Sequence, residues 1–77
     1  MNETFEKIAG IIEDIADIPR EDIHMDSNLM DDLDLASLEI MSIIAKVEKT
    51  FSIKMNEKKL MAIETLADFI KYVDSLQ

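Results

Sequence analysis

The sequence contains no cysteine and only one glycine, one proline and one histidine among its 77 residues. Without cysteine there are no disulfides, no thiolate metal ligands and no cysteine nucleophile. The lone His24 excludes a multi-histidine metal centre, and it has no identifiable partner with which to form a nucleophile–base pair. It is expected on a loop surface. No apolar run approaches the roughly 18 residues that a membrane span needs, and the N-terminus lacks a basic segment leading into an apolar one. The expectation is a single domain over residues 1–77, cytoplasmic, monomeric and not inserted in a membrane.

Positive charge is scarce too. Eight Lys and Arg stand against 17 Asp and Glu, for a net charge of −9. Yet 48% of the residues are hydrophobic, too many for a disordered acidic tail, so the acid is carried by something that folds. Such a field disfavours nucleic acid and anionic membranes and favours basic protein surfaces. The acid is concentrated: residues 21–45 hold seven acids (Glu21, Asp22, Asp26, Asp31, Asp32, Asp34 and Glu39) and no Lys or Arg. Residues 46–77, by contrast, carry five acids and six bases.

Punctuation has to be read from caps and periodicity. Phe5, Ile8, Ala9, Ile12, Ile15 and Ala16 recur at the spacing of one helical face, with Glu3 and Glu6 at the positive N-terminal end. Pro19 disfavours helical geometry at Ile18, so this helix should stop near Asp17. Residues 18–36 show no sustained period and read as a long loop anchored by Ile23, Met25, Leu29, Leu33 and Leu35. A second helix runs from about Ser37 to Phe51, with Ile40, Ile43, Ile44, Val47 and Phe51 inward and Glu39, Ser42, Lys46 and Lys49 outward. Residues 56–61 suit a short helix capped by Asn56. Thr65 with Asp68 resembles a capping box opening a last helix, whose inner face is Leu66, Phe69, Ile70, Val73 and Leu76. The brief alternation from Phe51 to Met55 is too short to pair as a strand. The reading is all-α: a small four-helix bundle of three main helices and one short one, with a long loop between the first two.

The aspartates do not fit a calcium loop, which needs oxygen ligands at its first, third and fifth positions, glycine at the sixth and glutamate at the twelfth. A loop starting at Asp26 puts Met30 fifth and Ser37 twelfth, and one starting at Asp32 puts Ala36 fifth and Ser37 sixth. No metal site is expected.

Ser37 is the most informative position. At the start of a helix, serine is an ordinary N-cap, but the same place favours a negative group through unpaired N–H groups and the helix dipole. Its surroundings read Asp31-Asp32-Leu33-Asp34-Leu35-Ala36-Ser37-Leu38-Glu39-Ile40. This string resembles the acyl carrier protein signature Asp-Leu-Gly-x-Asp-Ser-Leu followed by an acidic helix. Asp32-Leu33 and Ser37-Leu38-Glu39 stand in register, and helix order, length and acidity resemble the family over nearly the whole chain. Two positions depart: Asp34 replaces the glycine and Ala36 the aspartate before the serine.

The resemblance implies a 4'-phosphopantetheine arm on Ser37, attached by a holo-carrier-protein synthase, that is, a phosphopantetheinyl transferase. It also implies a thioester-linked acyl cargo of fatty-acid or related lipid or polyketide biosynthesis, and no catalytic residue in the carrier itself. Acyl-processing enzymes with basic surfaces are implied to dock at Asp34, Leu38, Glu39, Met41 and Glu48, so charge reversal at Glu39 should matter more than at Asp74. Ala36 implies a specialised carrier, because the missing aspartate helps the synthase grip its target; restoring it should barely change the fold. Ser42, Lys46 and Lys49 make the second helix mixed in sign. Methionines and Ile/Leu faces serve as core or as the lining of a shelter for the acyl chain. From the residues alone a second reading stays open, an acidic helical interaction module without a covalent cofactor, in which Ser37 is only a cap.

Overall fold

In a computed structural model, which describes residues 3–77, the chain folds into four helices: α1 (Glu3–Ala16), α2 (Ser37–Phe51), α3 (Glu57–Met61) and α4 (Leu66–Leu76). The all-α bundle read from periodicity is the fold observed. The only β-type pairing among the described residues is a single bridge between Asn28 and Thr65.

The core forms where the apolar stripes of α1, α2 and α4 meet. Ile8, Ala9, Ile11 and Ile12 of α1 are buried with Ile43 and Val47 of α2 and Leu66, Phe69, Ile70 and Val73 of α4. Full burial of an aliphatic side chain of this size stabilises by about 1.5–3 kcal/mol. Ile11, outside the stripe expected from spacing, is buried as well, so the apolar face of α1 is broader than a strict three-four pattern. At the other end of the chain, Leu76 is 37% exposed, although its spacing put it inward. It is the last helical residue, nearly a full turn beyond buried Val73.

Two contacts fix how the helices run. Lys7 lies 5.6 Å from the centroid of the Phe51 ring, and Thr4 donates to Asp74 Oδ1 at 2.7 Å. The start of α1 therefore meets the ends of α2 and α4.

The single glycine, Gly10, sits inside α1, where it costs rather than helps. Left-handed backbone falls instead to Asp17 (φ 58°), Asp34 (φ 52°) and Ser52 (φ 57°). Asp17 and Ser52 end α1 and α2, as the proline argument required for Asp17. Their N–H groups close the final turns onto Glu13 O and Glu48 O.

The segment between α1 and α2 is long but laced. A 3-10 turn, Arg20–Asp22, opens it. Arg20 holds that turn to α1, its guanidinium 4.6 Å from the Phe5 ring centroid and its Nη2 3.1 Å from Glu6 Oε2. Ile23, Leu33 and Leu35 are buried as anchors and Leu29 is half-buried, but Met25 is 40% exposed. What Met25 contributes is its carbonyl, which accepts from Ala67 N–H at 2.7 Å, while Ser27 O accepts from Leu66 N–H at 2.9 Å. Thr65 Oγ1 accepts from Asp68 N–H, so the first N–H groups of α4 are satisfied by the loop and the expected capping box together.

Candidate functional site

Loop and α2 meet at a turn organised by Asn28. Its Oδ1 accepts from Met30 N–H (3.0 Å) and Asp31 N–H (2.9 Å), and its own N–H donates to Asp32 Oδ2 (2.7 Å). The Asn28 carbonyl accepts from Asp32 and Leu33, closing the turn that delivers Leu33 and Leu35 to the core. Asp32 is thus a structural acceptor as well as an acid. An Asn whose side chain bonds to backbone two and three residues on is a recognisable turn pattern, a local signal that reading residues 18–36 by apolar period alone passes over.

Asp34 then takes the left-handed conformation. This is the position where the carrier signature has glycine, and aspartate is among the few other residues that enter this region. The glycine is absent, but the chain here still takes a left-handed residue at that position.

Ala36 occupies the N-cap of α2 with extended backbone (φ −76°, ψ 159°), and Ser37 is the first helical residue. The competing reading in which Ser37 is only an N-cap is therefore not what is observed, and α2 begins at Ser37 as its periodicity indicated. Alanine offers no acceptor, so only half of a capping box is made: Ala36 N–H donates to Glu39 Oε1 at 2.9 Å. The N–H groups of Ser37, Leu38 and Glu39 have no acceptor among the described residues, and neither does the Ser37 hydroxyl. Ser37 is exposed. A nucleophilic oxygen committed to nothing stands beside three unpaired backbone donors at the positive end of a 15-residue helix.

Beside Ser37 opens a cavity of about 700 Å³ between α2, α3 and the loop. Ile12, Leu35, Ile43, Met55 and Phe69 come from the core, and Ile40, Ile44, Leu60 and Ile63 line it further. Met30, Met41 and Met61 complete it, 61%, 66% and 86% exposed, and Glu48 and Glu57 supply its acidic members. The lining is mainly aliphatic, suiting an aliphatic chain far better than a polar one. Sequence spacing identified its α2 members, but the contributions of α3 and of Met30 depend on how the segments fold back.

The residues expected at a docking surface differ in availability. Leu38 is 78% exposed, and Asp34 and Met41 are exposed too. Glu39 is half-buried, with one oxygen engaged by Ala36 N–H. Glu48 is half-buried, and its Oε2 accepts from Met55 N–H at 2.7 Å, tying α2 to the segment before α3. His24 is exposed, in the loop. Among the described residues no group of three or more His, Cys, Asp or Glu is placed to hold a metal ion, and no helix is long and apolar enough to cross a membrane.

A family model described as phosphopantetheine attachment site matches residues 6–73. The chain is 30% identical over 71 residues to the acyl carrier protein of Coprothermobacter proteolyticus, covering 92% of this chain and 87% of that one. It is 33% identical over 69 residues to the acyl carrier protein of Clostridium acetobutylicum, covering 90% of each. The meromycolate extension acyl carrier protein of Mycobacterium leprae is 30% identical over 70 residues, which are 91% of this chain and 61% of that protein. A match spanning all four helices, together with an exposed serine opening the helix that the signature demands, settles the kinship: the chain belongs to the acyl carrier family, defined by a phosphopantetheine attachment site.

Proposed function

We propose that Ser37 is the residue that bears 4'-phosphopantetheine, and that residues 1–77 act as one carrier domain, a cytoplasmic monomer with no catalysis of its own. The observation that carries this reading is the uncommitted Ser37 hydroxyl at the start of α2, next to the aliphatic cavity. A phosphodiester formed there would sit among the unpaired N–H groups of Ser37, Leu38 and Glu39, where its charge is favoured. A serine retained only as a helix cap would have its oxygen on a backbone N–H, and this one does not.

The chemistry supplied by the bound arm is its thiol, which holds an acyl group as a thioester. The chain's own residues do the rest. Asn28, Asp32 and Asp34 shape the turn that exposes Ser37. Ile40, Ile44 and Leu60 offer apolar surface to the cargo and keep water from it. Asp34, Leu38, Glu39 and Met41 form the docking surface for a phosphopantetheinyl transferase and for acyl-processing enzymes with basic faces, with Glu48 at its margin, held to the fold by Met55 N–H. Lys46 and Lys49 further along α2 are exposed and bound its acidic part.

The test is incubation of the purified chain with coenzyme A and the phosphopantetheinyl transferases of its own host, read by intact mass. Addition of one arm to the wild type and none to Ser37→Ala is the expected result. No addition to either protein, or equal addition to both, overturns the assignment of Ser37.

A further inference from the structure

Five methionines lie among the described residues, and four of them, Met30, Met41, Met55 and Met61, line the one cavity beside Ser37. Their exposures split sharply. Met55 is 7% exposed and forms part of the floor, whereas Met30, Met41 and Met61 are 61%, 66% and 86% exposed and form the rim. They come from three different segments: the loop, α2 and the end of α3. Leu and Ile would present as much apolar surface, but of these side chains only the thioether has a lone pair that attacks a peroxide oxygen.

We propose that Met30, Met41 and Met61 are a hydroperoxide modification site that switches the cavity from apolar to polar at its mouth. In each event the thioether sulfur attacks the distal oxygen of the hydroperoxide and the O–O bond breaks. A sulfur–oxygen bond forms, and the remaining oxygen leaves, with the proton, as alcohol or water. Sulfur loses two electrons and the peroxide gains them. The sulfoxide is polar and a strong acceptor, and the only side-chain donor in the cavity lining is the Ser37 hydroxyl, so an apolar chain crossing a rim of three sulfoxides would strip water from more acceptors than the lining can satisfy. Met55, covered by its neighbours, is spared, and so is the floor. The change is local and reversible by methionine sulfoxide reductases. Its consequence for an acyl cargo rests on the carrier reading given above, but the site itself does not need the arm.

The experiment uses the full chain without the arm and the neutral fluorescent probe N-phenyl-1-naphthylamine. Hydrogen peroxide is applied in a time course, with peptide mass mapping, helical circular dichroism and probe titration on the same samples. Met30, Met41 and Met61 should each gain one oxygen well before Met55, helicity should hold, and probe affinity should fall about tenfold. Methionine sulfoxide reductases A and B together should restore it. Probe binding by the triple variant Met30→Leu, Met41→Leu, Met61→Leu should not respond to peroxide. Met25→Leu, which removes an exposed methionine outside the cavity, should respond as the wild type does. Oxidation of Met55 at the rate of the rim residues, rim oxidation without loss of affinity, loss of helicity in step with oxidation, or an equal response from the triple variant would each overturn the proposal. Absence of an arm on Ser37 in the separate transferase assay would leave all of these readouts standing.

Discussion

Ala36 is the N-cap of α2 and has no side-chain acceptor, so the helix that presents Ser37 starts with three open N–H groups. Ala36→Asn places an amide oxygen where it can accept from Leu38 or Glu39 N–H, and replacing alanine by a capping residue at such a position is worth about 1 kcal/mol. At about 2.1 cal/mol/K of unfolding entropy per residue, the 77-residue chain should melt about 6 °C higher. Ala36→Asp supplies the same acceptor and adds about 0.3–1 kcal/mol from its charge at the helix N-terminus. Against that gain it sits between Asp34 and Glu39, so at low salt it should stabilise no more than Asn does, and salt should raise it relative to Asn. The expectation that the aspartate barely changes the fold treated position 36 as an exposed loop end; as the N-cap of α2 it should instead stabilise the start of that helix. The two variants also separate stability from recognition. Both cap the helix, but only Ala36→Asp restores the charge that the carrier family offers its transferase. Thermal unfolding and initial rates of arm addition are measured for wild type and both variants. A rise in melting temperature for both, with faster modification for Ala36→Asp alone, is expected. Unchanged melting of Ala36→Asn would refute the cap geometry, and equal acceleration by both would show that helix order, not charge, governs the transferase.

Gly10→Ala should stabilise by about 0.5–1 kcal/mol, because Gly10 is inside α1 and a Cβ there meets nothing within 4 Å; urea unfolding reads it. Glu39→Lys should slow association with a basic partner enzyme more than Glu3→Lys at the far end of α1, and the gap should close as the screening length falls from about 10 Å at 0.1 M salt to about 3 Å at 1 M. Glu3 replaces Asp74 as the comparison because Asp74 accepts from Thr4 and its reversal would also disturb the α1–α4 contact. Asp68 has its carboxyl pKa lowered, first by the Thr65 N–H and then by Glu64 N–H, the Thr65 hydroxyl and the Lys71 charge, against some desolvation. Since the folded pKa is the lower one, its stabilisation is complete above 3.8 and fades as pH falls through the folded value, so the melting temperature of Asp68→Asn should drop less steeply than wild type in acid.

How much of this was legible in the sequence depended on the range of the interaction. α2, α3 and α4 start and stop as their local signals indicated, since periodicity, Asn56 and the Thr65–Asp68 box act within one turn. Ser37 stood out through its neighbours, but whether it or Ala36 would be the cap turned on a single residue of register. Met25 and Leu76 were misjudged for a longer-range reason. Apolar character alone does not show that Met25 serves α4 through its carbonyl, or that the core ends before Leu76. The cavity was the least legible part. It is bounded by residues from Ile12 to Phe69 that no local pattern links, and the acidic positions Glu39 and Glu48 proved to hold the backbone as well as charge the surface.

The most direct test of the central claim is the mass of the chain purified from its own host, followed by peptide mapping. The account predicts a species heavier by one phosphopantetheine, with the added mass on the peptide containing Ser37 and absent when Ser37→Ala replaces the wild type in that host. A chain that carries no arm there, or one whose arm maps to another residue, would contradict it.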